Sequence, residues 1–134
     1  MNFTNAVKEL KLETPLLVKK INELSSLSDG DVDLALIELL KFLNLIGTVN
    51  RRLSPSQIID TVWHEFILFT KQYIQFCEKH WGRVIHHEPS ESASTALYFQ
   101  TLEEYEELYG KGPEKYWPLI SEASDSRCGS CEMK

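Results

Sequence analysis

The residue types best suited to binding a metal or moving a proton are concentrated between positions 60 and 87 of this 134-residue chain. All four histidines fall in this stretch, together with one of the three cysteines. The group consists of Asp60, Trp63, His64, Cys77, His80, His86 and His87. Imidazole nitrogen and thiolate sulfur are the usual zinc ligands, and a carboxylate commonly orients a working imidazole. These residue types indicate a site for a metal or another ligand.

Asp60 and His64 form the most informative pair in this group. Their spacing of four residues places them one turn apart on the same side of a helix, with Trp63 beside them. Asp60 could accept a hydrogen bond from one ring nitrogen of His64 and leave the other free for a ligand, a metal or a proton. The alternative is a surface pair that stabilises the helix by roughly 0.2–0.5 kcal/mol. Both interpretations stay open, and Asp60, Trp63 and His64 are candidate ligand-binding residues.

A second histidine could reach His64 from beyond the end of the same helix. After Gly82, an extended return over residues 83–87 would bring His86 or His87 back toward His64. Neighbours in an extended segment point to opposite sides, so only one of these two histidines would face the site. The alternative is a turn in which both imidazoles bond to the backbone. We therefore treat His64, His86 and His87 as candidate metal ligands.

The three cysteines do not suggest a disulfide framework, since their number is small and odd. Cys77 lies 13 positions after His64, roughly 20 Å along a continuous helix, so the two cannot bind one metal. Cys77 is predicted to be a buried core thiol. Cys128 and Cys131 form a Cys-x-x-Cys pair that can chelate zinc if histidines or another chain supply two further ligands. The alternative for this pair is an unstructured tail that binds nothing.

The helix that carries the candidate site has the clearest signals of any element. Ser54 is predicted to cap it, with Pro55 in the first turn and Gln57 completing a capping box. Apolar residues then recur at intervals of three and four as far as Gly82. This pattern predicts one long helix of about seven turns.

The remaining segments complete an all-α prediction. Further helices are predicted after Pro15, from Val32 to Ile46 with Gly47 as the stop, and from Ser92 to Tyr109. The short segment 83–87 is the one extended stretch. The sequence predicts a single-domain helical bundle over residues 1–120, with a flexible Cys-containing tail over 121–134.

The charge balance narrows the classes of partner. The chain has 20 acidic and 14 basic side chains, a net charge of −6 and a pI near 5.2. Nucleic acid is not expected as a partner, because phosphate binding requires clustered Lys and Arg. The longest apolar stretch, 32–46, is shorter than the roughly 20 residues of a membrane span, and the first residues do not follow a secretory-signal pattern. We expect a cytoplasmic protein without membrane contact.

Several motifs in a fixed order give the chain a resemblance to a known family. They are DTVWHEFILFTKQYIQFC at 60–77, IHHEP at 85–89, YFQTLEEY at 98–105, and the segment from Gly112 to Pro118. Together they resemble the glycine-rich domain-containing protein-like family over roughly residues 30–118. The resemblance implies a small stand-alone domain whose Cys128–Cys131 segment is a short Cys- and Gly-rich tail. The positions that match the family's motifs include Asp60, Trp63, His64, His86 and His87.

Three functional hypotheses follow from these observations. The first is a helical binding module with a metal site, for which zinc is the specific prediction. In this site Asp60 orients His64, and a later histidine lies close to both. The second is a protein–protein interaction module without a metal, whose acidic C-terminal half docks an unidentified basic protein partner. The third, ranked last, is a hydrolase that uses a metal-bound water. We expect a binding module rather than an enzyme.

Overall fold

The computed structural model describes residues 1–24, 27, 31–49, 52–87 and 95–119. These ranges form six α-helices and no strand: α1 (Phe3–Glu13), α2 (Pro15–Asn22), α3 (Val32–Val49), α4 (Gln57–Ile67), α5 (Thr70–Trp81) and α6 (Thr95–Tyr109). The all-α prediction is therefore confirmed. None of these six helices is both long and apolar enough to cross a membrane. The predicted tail over 121–134, with Cys128 and Cys131, lies outside the described residues.

Helix α3 forms the centre of the fold, where it contacts α1, α2, α4 and α6. Its fully buried residues lie on several sides, as is typical of a helix surrounded by protein, and include Leu36, Leu39, Leu40, Phe42 and Leu43. The prediction that Gly47 ends this helix is wrong, because α3 continues to Val49. A Cβ at Gly47 would lie 2.8 Å from Trp81 Cδ1. Gly47 therefore permits a close approach of the Trp81 ring rather than a stop.

The predicted long helix is in fact two helices, α4 and α5, separated by Leu68 and Phe69. The backbone leaves helical geometry at Phe69, with φ −90° and ψ 65°. The Phe66 ring meets the Tyr73 ring edge-on at 4.9 Å between centroids, so the apolar faces of both helices share one core. An apolar pattern that stays in phase across a bend looks continuous in sequence, which explains the error.

The start of α4 also differs from the prediction. Ser56, not Ser54, is the N-cap, and its Oγ accepts a hydrogen bond of 3.3 Å from the backbone N–H of Ile59. The backbone N–H of Ser54 instead donates to Thr101 Oγ1 of α6, at 3.0 Å. The Ser-Pro-Ser run offers two capping side chains, and the second of them caps the helix.

Helix α1 was not predicted, although its signals are present. Asn2 caps it by accepting a hydrogen bond of 3.0 Å from the backbone N–H of Asn5. Ala6, Val7 and Leu10 form its buried face. The structure thus adds a helix before α2 and supplies one of the neighbours that cover α3.

The connection after α5 carries part of the candidate site. Gly82 ends α5 in the left-handed conformation, with φ 73°, which a residue with a side chain rarely adopts. The predicted extended segment 83–87 is non-helical and forms no strand ladder within the described part of the chain. The segment is held instead by a side chain, since the Tyr73 hydroxyl donates to the carbonyl of Ile85.

A buried carboxylate, Glu38 of α3, joins the middle of the fold to its C-terminal side. Only 1% of this residue is exposed. Its Oε1 accepts hydrogen bonds from the Tyr105 hydroxyl and from Trp117 Nε1, the latter at 2.9 Å, and Lys41 Nζ lies 3.6 Å from Oε2. Glu38 thus connects α3, α6 and the segment that follows α6. The sequence does not indicate this cluster.

Gly112 should not tolerate a side chain. A Cβ there would lie 2.7 Å from Tyr105 Cε1 and 2.8 Å from Trp117 Cδ1, and both rings are buried. We expect Gly112→Ala to lower the free energy of unfolding by about 1–3 kcal/mol, the usual effect of overpacking. Chemical denaturation measures this change, with Lys111→Ala at an exposed neighbouring position as the control. Equal stability of the two variants would contradict the described packing.

All five tyrosines should resist ionisation while the protein is folded. Burial raises the pKa of Tyr73, Tyr98, Tyr105, Tyr109 and Tyr116 above the ordinary value of about 10. The resulting stabilisation is fully present below pH 10 and is lost as the pH rises above it, because the unfolded chain then releases protons that the folded chain retains. We expect tyrosinate absorbance and loss of helical circular dichroism to rise together above pH 10. Tyrosinate formation in a fully helical protein would contradict this expectation.

Candidate functional site

Helix α4 presents three of the predicted site residues within a little more than one turn. Asp60 is half-buried, Trp63 is buried and points into the core, and His64 is exposed on the outer side. The Ser56 cap fixes where α4 starts and therefore the direction in which each of these side chains leaves the helix. The side chain of His64 is 59% exposed and that of Asp60 is 41% exposed. This part of the site faces solvent.

His87 enters the same site from the segment that follows α5. Its Nε2–H donates to Asp60 Oδ1 at 2.6 Å, a short charge-assisted contact, and its side chain is only 15% exposed. The His64 and His87 rings meet edge-on, with their centroids 4.3 Å apart and an interplanar angle of 88°. His64 Nε2 lies 3.6 Å from Asp60 Oδ2, beyond hydrogen-bonding distance. Asp60 therefore bonds to His87 rather than to His64 as the helical spacing suggested.

A buried aromatic floor supports His87. The centroids of the Trp63 and His87 rings are 4.3 Å apart. The Trp63 ring also meets the Phe42 ring edge-on, with 5.5 Å between centroids. Trp63 Nε1 donates to the Tyr73 hydroxyl at 3.0 Å, and that hydroxyl donates in turn to the Ile85 carbonyl. Burial raises the pKa of Tyr73, so the phenol stays protonated and able to donate well above neutral pH. These contacts fix how close the His87 side chain lies to α4.

The three polar residues have spacing compatible with a small cation. One ligand atom from each of Asp60, His64 and His87 can be chosen so that all three lie within 4.8 Å of one another. Ligand atoms around tetrahedral zinc are about 3.3 Å apart, given zinc-to-ligand distances near 2.0–2.1 Å. The 3.6 Å between Asp60 and His64 is close to this value. The 2.6 Å between Asp60 and His87 would have to lengthen, with loss of the shared proton.

The structure separates the other predicted residues from this group. His86 is exposed and does not belong to the cluster, which assigns the inward position to His87. Cys77 is fully buried, so it is a core residue, as predicted, and its burial raises the pKa of the thiol. His80 lies near Glu9 of α1, with 3.6 Å between His80 Nε2 and Glu9 Oε1. Cys128 and Cys131 fall outside the described residues.

Two residues of this site were not recognised from sequence in their structural roles. Tyr73 was predicted only as part of an apolar stripe, yet its hydroxyl bonds to both Trp63 and Ile85. Trp63 was a candidate for contact with a ligand, whereas it is 4% exposed and supports His87 from below. The available signal was the position of Tyr73 within an apolar stripe. A tyrosine buried there needs a hydrogen-bond partner for its hydroxyl.

A protein-family model matches this chain. The model of the UCP032817-like family matches residues 4–121, which is most of the chain. The protein belongs to the UCP032817-like family. The description of this family names no activity, substrate or partner. No curated protein and no solved structure is significantly similar to the chain.

Membership of the UCP032817-like family corrects the resemblance stated from the sequence. The expected relationship to glycine-rich domain-containing proteins is wrong, because the matching model is a different one and covers the whole helical domain. Many residues of the quoted motifs are buried aromatic residues, among them Trp63, Phe66, Tyr73 and Phe76. Such residues recur wherever two amphipathic helices share a core, so they are weak markers of a particular family.

Proposed function

We propose that this UCP032817-like domain is a metal-binding module that holds one divalent transition-metal ion, zinc in the first instance, at Asp60, His64 and His87. The observation that carries the proposal is the convergence of two imidazoles and one carboxylate from separate parts of the chain, with one ligand atom from each within 4.8 Å of the others. Two of these residues lie on α4, and the third returns to them after α5.

The types of ligand favour zinc or a neighbouring transition metal over calcium or magnesium. Imidazole nitrogen suits zinc, copper, iron and nickel, whereas calcium and magnesium prefer sites built from oxygen. Two nitrogens and one carboxylate oxygen also resemble the ligand sets of zinc sites that keep a position open. The exposure of His64 and Asp60 leaves solvent access on that side, so a fourth ligand could come from water or from a partner.

The existing contacts of His87 support a prepared site. Asp60 and the Trp63 ring already fix the orientation of this imidazole, so little further ordering is needed when a metal binds. Binding would replace the proton shared by Asp60 and His87 with the metal. The proposal is limited to binding, because a hydrolase would also need a general base near the metal-bound water.

The protein–protein interaction hypothesis leads to a different expectation at this site. Exposed glutamates on α6, including Glu103, Glu106 and Glu107, are available to a basic protein partner, but a row of acidic side chains is common on solvated helices. If the domain acts only by binding such a partner, removing His64 changes neither metal content nor ligand affinity. The metal titration therefore separates the hypotheses.

The experiment is a calorimetric and spectroscopic titration of metal-free protein with Zn²⁺ and Co²⁺. The background carries Cys128→Ser and Cys131→Ser, so that the tail cannot supply thiolates. We expect one ion per chain and a visible cobalt spectrum typical of a low coordination number. His64→Ala should abolish saturable binding, a larger effect than the roughly 10–100-fold weakening that follows loss of a residue that only orients a ligand.

His86→Ala is the matched control for His64→Ala. It removes an imidazole next to the site from an exposed position outside the cluster. We expect it to bind zinc with wild-type affinity. Equal weakening by His64→Ala and His86→Ala, or no saturable binding by the folded parent protein, would refute the proposed function.

A further inference from the structure

We propose that Tyr73 of α5 is the positioning residue of the Asp60–His64–His87 site, holding His87 against α4, where it can reach a metal ion shared with Asp60 and His64. This inference rests on the proposed function and assigns a role to a residue that is not itself a ligand. Tyr73 lies in the core, with 4% of its surface exposed, and contacts the site through two hydrogen bonds.

The Tyr73 hydroxyl is bonded to both supports of His87. It donates to the carbonyl of Ile85, two residues before His87, and thereby anchors the backbone from which the imidazole projects. It accepts a hydrogen bond of 3.0 Å from Trp63 Nε1, and the Trp63 ring is the floor against which His87 rests. One oxygen atom therefore sets the position of the backbone and of the ring that together locate His87.

The surroundings make this arrangement specific to a hydroxyl group. Ile85 is 1% exposed and Trp63 is 4% exposed, so water does not compete for either bond. Residues 84–87 form no strand ladder within the described ranges, so the Ile85 carbonyl depends on this side chain. Without the hydroxyl, the Ile85 carbonyl loses its bond to α5, and the imidazole is held by its hydrogen bond to Asp60 and by its ring contacts.

The test is the metal affinity of Tyr73→Phe, which removes one oxygen and keeps the ring. We expect the dissociation constant for zinc to rise about 10–100-fold, as it does when other residues that orient a metal ligand without binding the metal are lost. The cobalt spectrum should also change in shape and intensity, because His87 would sit farther from the ion or leave it. A residue that merely stabilises the fold would leave the spectrum of the bound cobalt unchanged.

Tyr105→Phe is the matched control. It removes the same atom from another buried tyrosine, whose hydroxyl bonds to Glu38 instead. The rings of Trp117 and Phe42 lie between Tyr105 and Trp63. We expect Tyr105→Phe to lower stability while its zinc affinity and cobalt spectrum stay those of the parent protein.

Trp63→Phe provides a second variant, which decides the outcome if Tyr73→Phe does not fold. It keeps an aromatic floor and the Tyr73–Ile85 bond but removes the Nε1–H donor. We expect a smaller, several-fold loss of zinc affinity. Wild-type affinity and an unchanged cobalt spectrum in the folded variants would overturn the role of Tyr73. Failure of the proposed function is distinguishable, because it would already appear as absent binding in the parent protein.

Discussion

His87→Ala should abolish metal binding and also destabilise the metal-free domain, whereas His64→Ala should abolish binding and leave stability nearly unchanged. His87 is mostly buried and makes a 2.6 Å hydrogen bond to Asp60, so its loss removes a charge-assisted contact worth about 1–3 kcal/mol. His64 is 59% exposed and lies 3.6 Å from Asp60, a surface contact worth roughly 0–1 kcal/mol. The two histidines thus play different parts in one site.

Denaturation of the two variants in the presence of a chelator measures this difference. Zinc should raise the unfolding midpoint of the parent protein, since a ligand that binds only the folded state stabilises it. Neither variant should respond to zinc. A metal-free His87→Ala protein as stable as His64→Ala would contradict the observed role of His87 as a packed, hydrogen-bonded residue.

Glu38→Ala should be among the most destabilising single substitutions in the domain. It leaves the Tyr105 hydroxyl and Trp117 Nε1 without their acceptor in a buried region and removes the partner of Lys41. Removing one partner from a buried charged network typically lowers the free energy of unfolding by about 3–5 kcal/mol. In a domain of this size the melting temperature should fall by about 10–20 °C. Thermal unfolding followed by circular dichroism measures the change.

Two further variants define what Glu38 contributes. Glu38→Gln retains an oxygen acceptor for Tyr105 or Trp117, so it should lose less stability than Glu38→Ala. Glu106→Ala, on the exposed side of α6, should be nearly neutral. A loss of less than about 1 kcal/mol in Glu38→Ala would show that the carboxylate is not the connection between α3 and α6 that its contacts indicate.

The all-α architecture could be predicted because burial leaves a periodic pattern in sequence. Helix α3 is apolar on several sides, and α6 ends before Gly110, as expected. The return of one later histidine to His64 could also be anticipated, since Gly82 ends α5 and five residues span the distance. Which histidine returns depends on side-chain direction in an irregular segment, and local sequence does not determine that direction.

Apart from α1, the missed features leave no clear signal in the local sequence. The bend at Phe69 preserves the phase of the apolar face, so periodicity does not reveal it. Ser54, the predicted cap, instead bonds through its backbone N–H to Thr101 in α6. The Glu38 cluster joins residues 67 and 79 positions apart, and an isolated glutamate in an apolar helix does not indicate its partners. Pairwise long-range contacts carry this information rather than local propensity.

The most direct test of a metal-binding domain is the zinc content of protein purified without a metal-chelating tag, measured by elemental analysis and native mass spectrometry. Three proteins should be compared: the parent, Cys128→Ser/Cys131→Ser, and His64→Ala/His87→Ala. We predict close to one zinc per chain in the first two and none in the third. Zinc retained by the histidine variant but lost from the cysteine variant, or a folded parent protein that takes up no zinc, would contradict the assignment of a metal site to Asp60, His64 and His87.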